Sequence, residues 1–196
     1  MVPFLHITTK VDGDPDQSLS QEKGGIGWPY LIAMDSDGTV IVRNIEKRKQ
    51  TVATFRDVID AEVPAYLALK AAAAKGDDDA LVAFLKKRIE LANISFAEAS
   101  AERNKLSKLD AEQAASLDQT LVELEVDELF ASIKERNPRG YAKAAPIAAR
   151  IAEAGRIPEG KARARNFWRL VGMYAQSSKD QELAKRARAA LKKIGR

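Results

Sequence analysis

Residues Gly24 to Arg43 read GGIGWPYLIAMDSDGTVIVR, and the fold class turns on how this stretch is taken. Tyr30 to Met34 is an unbroken apolar run, the pattern of a strand covered on both faces. Asp35-Ser36-Asp37-Gly38 supplies a hairpin turn, with Gly38 free to adopt a positive φ. Thr39 to Arg43 returns as an alternating edge strand. Gly24, Gly25 and Gly27 stop a preceding helix and allow the approach to Pro29. They are not a phosphate-cradling loop, because Gly24-Gly25-Ile26-Gly27 lacks a Lys-Ser/Thr ending and leads into a proline and a strand rather than a helix.

Working outward, Val2 to Thr8 is apolar and partly β-branched and predicts a strand. Asp12 to Asp16 predicts a turn, and Gln17 to Lys23 a short helix. On the other side the apolar period changes from two to about 3.6 at Thr51. Phe55, Val58, Ile59, Val63, Tyr66 and Leu67 form a stripe, and Pro64 predicts a kink or a fresh helix start. Ala68 to Ala74 is strongly helix-favouring and Gly76-Asp77 ends it. Further helices are expected from Asp78 to Ala92, from Ser95 with a Glu98 capping box, and from Asp110 to near Asn137-Pro138. Three more are expected over Tyr141 to Ala154, Glu159 to Ala175 and Lys179 to Ile194.

The 45% hydrophobic and 31% charged composition is that of a globular chain. No apolar run approaches the ~20 residues that cross a bilayer, so no membrane span is expected. MVPFLHITTK lacks a basic region followed by an apolar one, which makes cytoplasmic the default expectation. The absence of cysteine excludes disulfides, thiol catalysis and thiolate metal sites. The net charge of +4 is unevenly spread: −1 over residues 1–50, −7 over 51–130 and +12 over 131–196. An acidic middle beside a basic tail implies either helical faces that attract each other or a surface for polyanions.

With these residues in view, Gly24 to Arg43 resembles the second half of thioredoxin-fold proteins. Their pattern is a glycine, a variable residue, a cis-proline, an apolar strand, an Asp-x-Asp-Gly hairpin and a final strand. Gly27, Trp28, Pro29, Tyr30–Met34, Asp35–Gly38 and Thr39–Arg43 stand in those places. The helix from Thr51 resembles the closing helix of that fold, and the likeness covers about a third of the chain. It implies that Gly27, Trp28 and Pro29 offer backbone groups to an extended peptide. The Cys-x-x-Cys half of the family pattern is missing, and with it the family's redox chemistry and central second strand. Three readings stay open: a truncated remainder of a thioredoxin-family oxidoreductase, a reduced fold that closes on itself, or a fold that takes a strand from another chain. In the helical part, Trp168, Val171, Gly172, Tyr174 and Ala184 resemble the tetratricopeptide (TPR) pattern, with no clean 34-residue period.

Other chemistry is weak. Asp12, Asp14 and Asp16 have the first three spacings of a calcium loop, but Gln17 and Lys23 stand where glycine and glutamate belong, so a solvated turn is favoured. His6 is the single histidine and has no partner for a metal site or a catalytic pair. Trp168 is read as core. Trp28 is read equally as core or as a contact residue. Arg163, Arg165, Arg169, Lys185, Arg186, Arg188, Lys192, Lys193 and Arg196 form a basic region, by default a solvated face. No reader motif supports nucleic-acid recognition.

The expectation is therefore an α/β plus all-α chain. A partial thioredoxin-like βαββα unit over residues 1–63 precedes an antiparallel, TPR-like helical array over 64–196. The chain is expected to bind a protein or peptide partner without catalysis, using Gly27, Trp28 and Pro29, and no cofactor or metal. A nucleic-acid-associated protein using the basic C-terminal helices is the remaining alternative.

Overall fold

The computed structural model describes residues 22–23, 32–43, 52–106, 108–135 and 137–195. The expected strand at Val2 to Thr8, the Asp12 to Asp16 turn, His6 and the Gly27-Trp28-Pro29 approach lie outside the described residues. Those that are described are mainly helical, with a two-stranded antiparallel sheet. The strands are β1 (Ile32–Met34) and β2 (Val40–Arg43). Helices α1 (Val52–Ala74), α2 (Asp78–Glu90), α3 (Phe96–Arg103), α4 (Ala111–Ala131), α5 (Pro138–Glu153), α6 (Lys161–Ser177) and α7 (Gln181–Ile194) follow. The chain divides into two compact units, Met1–Phe84 and Leu85–Arg196, with the division inside α2. A boundary after residue 63 would fall inside α1, whose backbone is continuously helical there.

In the first unit the turn between the strands forms as its residues dictate. The Gly38 N–H donates to the Asp35 carbonyl at 3.0 Å, the Asp35 N–H donates to the Thr39 carbonyl at 2.8 Å, and Gly38 takes φ +78°. Ile32 pairs with Arg43, Ala33 with Val42 and Met34 with Val40, which leaves Ile41 as the extra residue of a bulge. The strands exchange their expected roles. Val40, Ile41 and Val42 are all buried, at 2%, 3% and 5% exposure, whereas Ile32 to Met34 are half-buried. β2 thus does not alternate between covered and exposed positions: α1 packs on it, and three consecutive apolar residues are buried.

Helix α1 runs through Pro64 without a new start. The missing N–H frees only the Asp60 carbonyl, and Asp60, Ala61 and Pro64 are exposed, so water can replace that bond. The buried line is narrower than the expected stripe. Ile59, Tyr66 and Ala73 recur every seven residues and are buried, while Leu67 is 43% exposed. Tyr66 packs on Phe84 of α2 with ring centroids 5.5 Å apart.

The second unit is built from consecutive helices, each packed on the next from α3 to α7. One cluster joins Leu85, Ile89, Ile94, Ala99, Leu117, Leu121 and Leu124. The larger one is centred on Phe167, Val171, Ile151, Val126 and Ala148, all at 0–1% exposure. Trp168 lies in it at 7% exposure, edge-on to Phe167 at 5.7 Å, in keeping with its helical spacing. Burying a side chain of this size contributes about 1.5–3 kcal/mol.

Helix ends follow local chemistry. Ser95 and Glu98 form the expected capping box on α3, and Asp110 and Gln113 form another on α4. Helix α4 stops at Ala131, six residues before the expected end at Asn137-Pro138. Those two residues belong to the next helix: the Asn137 side chain accepts from the Gly140 N–H at 2.9 Å, and Pro138 occupies the first turn, where a missing N–H costs nothing. α2 ends at Glu90 rather than Ala92, because Ala92 takes φ +50° and its N–H and that of Asn93 turn back to the Ile89 and Arg88 carbonyls. Lys179 stops α6 in the same way at φ +60°, and Asp180 caps α7.

Candidate functional site

Gly27, Trp28 and Pro29 lie outside the described residues, as do Asp12, Asp14 and Asp16. Among the described residues no group of three or more His, Asp or Glu side chains could hold a metal ion. Among the described residues, two open grooves in the second unit border the α5–α6 connection.

The first groove has a volume of about 770 Å³ and lies between α3, α4 and the connection. Phe96, Leu121, Val122 and Ile157 supply apolar surface, and Ser100, Asn104, Gln119, Arg103, Asp118 and Arg156 supply polar surface. Arg103 faces Asp118 in a two-pronged pair, Nε to Oδ1 at 2.8 Å and an outer nitrogen to Oδ2 at 3.2 Å. This pairing fixes both side chains in planar register. Asn104 at the C-cap of α3 is exposed. Its side-chain amide presents one acceptor and two donors, the complement of a peptide main chain.

The connection itself is pinned to α4. Arg156 reaches Glu125 at 2.5 Å, the Gln119 side-chain amide donates to the Ile157 carbonyl at 3.2 Å, and Pro158 is buried. Glu125 is largely covered, and burial pushes its carboxyl above the usual range despite the facing guanidinium. Farther along, Arg163 of α6 holds Asp127 at 2.9 Å and Glu123 at 3.1 Å. The charge asymmetry of the chain is thus partly spent inside this unit, with acidic α4 against Arg156 and Arg163.

The second groove, of about 540 Å³, lies between the start of α6 and the end of α7. Ala164, Trp168, Ala190, Ile194 and again Ile157 line it, with Gly160, Lys161 and Lys193 at its edge. Small residues at 160, 164 and 190 leave open the space over Trp168. Helix α6 starts at Gly160 with no side-chain cap and no acidic residue in its first turn, so this edge carries the positive end of the helix. Ile157 borders both grooves, and together they flank the connection on either side.

Comparison with protein families, with curated proteins and with solved structures finds no match to this chain.

Sequence marks none of these residues as part of a groove: Trp168, Ala190 and Ile194 read as apolar helix faces, Gly155 as a helix stop and Lys193 as part of a basic region. Arg103 and Asp118 lie fifteen positions apart on different helices, and Ile157 sits in a short loop with no periodic signal. The only local hint was the Gly155-Arg156-Ile157-Pro158 loop, whose Pro and Gly mark a break without marking a face.

Proposed function

We propose that this chain is a non-catalytic interaction protein. A partial thioredoxin-like α/β unit is joined to an array of TPR-like helical hairpins, and the helical unit binds a protein or peptide partner across Ile157. The observation that carries this reading is the pair of open grooves on either side of a connection that two separate contacts, Arg156 to Glu125 and Gln119 to the Ile157 carbonyl, hold to α4. A pre-positioned groove lowers the ordering cost of binding. Mixed apolar and amide-bearing walls suit a peptide, whose main chain needs donors and acceptors beside pockets for side chains. The thioredoxin-like reading of the first unit is supported by the order strand, DSDG turn, strand and helix, with α1 packed on β2. On this reading Gly27, Trp28 and Pro29 are a second peptide-contact segment.

The test is selection of displayed random peptides on the full-length chain, repeated on Ile157→Ser and Arg103→Ala variants checked for helical content by circular dichroism. Enrichment on the native chain that falls at least tenfold on either variant supports the proposal. Equal enrichment on all three, or none on any, overturns it.

A nucleic-acid reading draws on α7, where Lys185, Arg188, Lys192 and Lys193 are exposed. Binding of a generic DNA duplex whose affinity falls steeply with salt would favour it.

A further inference from the structure

The Trp168 groove narrows the class of partner. We propose that it is the anchor point of the reading above: it receives an apolar side chain from an acidic segment of a partner protein, whose carboxylates pair with Lys161 and Lys193.

Three observations converge on this occupant. The groove is apolar inside, with Trp168 as its floor and Ile157, Ala190 and Ile194 half-exposed around it, so its contents must be apolar. Its two ionisable liners are both lysines, both exposed, and neither forms an ion pair among the described residues. The region around it is strongly positive: residues 131–196 carry net +12. In the described ion pairs only Arg156 and Arg163 of that region are neutralised. The uncapped start of α6 adds positive potential at the same edge. An apolar slot bordered by unpaired ammonium groups favours a ligand with an apolar centre and negative flanks, and long-range attraction raises the rate of its capture. A nucleic acid fits less well. Trp168 is 7% exposed and edge-packed by Phe167, so it has little ring face on which a base could stack.

The test sequences the peptides enriched on the full-length chain and measures their affinity for the native protein and for Lys161→Glu/Lys193→Glu. Both lysines are exposed, so this variant is expected to fold, and circular dichroism checks that it does. The expected result is an acidic consensus around one large apolar residue, bound at least tenfold more weakly by the double variant. Ala190→Phe, which fills the slot beside Trp168 without adding a fluorophore, is likewise expected to bind these peptides at least tenfold more weakly. Peptides of neutral or basic consensus, unchanged affinity in the double variant, or displacement of the peptide by a DNA duplex of equal affinity would overturn this inference. Peptides that enrich and depend on Ile157 but not on the lysines would defeat it while leaving the broader proposal standing; no enrichment at all would defeat both.

Discussion

Lys70 Nζ sits 2.6 Å from the Asp35 Oδ2 atom, a bond that spans 35 residues and ties α1 to the hairpin turn. The same ammonium lies 3.5 Å from Asp37, and the Lys23 ammonium donates to the Gly38 carbonyl at 2.8 Å. The turn is therefore held by its own backbone bonds and by two lysines from outside it.

This arrangement predicts a pH signature for the first unit. The hydrogen bond from Lys70 holds the Asp35 carboxyl below its ordinary value of 3.8, and the Thr39 backbone N–H does the same for Asp37. A carboxyl depressed by folding contributes stability above its unfolded value and loses it as pH falls through the folded one. Lys70 is raised above 10.5, so its share is present below that value and lost as pH rises through the folded one. A Lys70→Met variant should melt lower than the native chain at neutral pH. The gap should close below about pH 3.8. Thermal melts followed by circular dichroism across pH 2–8 check this, and a gap independent of pH would count against the bond.

Glu125 has the opposite sign. Burial raises its carboxyl above 4.5, so in the window just above that value the folded chain binds more proton at this site than the unfolded chain does. Its contribution to stability falls as pH rises through the window just above 4.5. Glu125→Gln, which keeps an oxygen for Arg156, should remove that slope in denaturant titrations at pH 4 to 7. Persistence of the slope would mean that another group causes it.

Gly140 is required by packing rather than by backbone angle. A Cβ built there would stand 2.0 Å from the Glu135 carbonyl oxygen, a backbone atom that cannot swing away. Gly140→Ala should cost about 1–3 kcal/mol of unfolding free energy by overpacking. Asn137→Ala, which removes the cap and an exposed hydrogen bond to the Glu135 carboxylate, should cost about 1 kcal/mol. Urea unfolding of the two variants measures the difference.

Ala92 is a non-glycine residue at φ +50°, exposed, at the stop of α2. Ala92→Gly should stabilise by about 0.5–1 kcal/mol, the strain relieved exceeding the added freedom of the unfolded chain. A lower urea midpoint for this variant would refute that reading of the helix stop.

Phe167 is fully buried at the centre of the larger cluster. Phe167→Ala should cost about 3–5 kcal/mol, as large deletions in a core do. Calorimetry showing a much smaller loss would mean that the cluster around α6 is loosely packed.

Much of the fold was readable where the code is local. Ser95 and Glu98 announce a capping box, Gly38 a turn and Gly155 a helix stop, because each acts on backbone groups within a few residues of itself. The errors came where two local codes compete. Asn137-Pro138 reads equally as an end or a beginning, and the free partners of the next turn decide for the beginning. Pro64 reads as a break until the exposure of its neighbours lets water take the orphaned carbonyl.

By itself the sequence determined the helical content beyond Thr51, the DSDG hairpin, the absence of thiol chemistry and the surplus of positive charge in the last third. Tertiary structure alone decided that β2 rather than β1 is the covered strand, that acidic α4 takes Arg156 and Arg163, and that Ile157 borders two grooves. The reason is range. Turns, caps and periodicity are set by bonds between near neighbours, whereas a groove is made by side chains such as Arg103 and Asp118 or Trp168 and Ala190, which meet only once separate helices have packed.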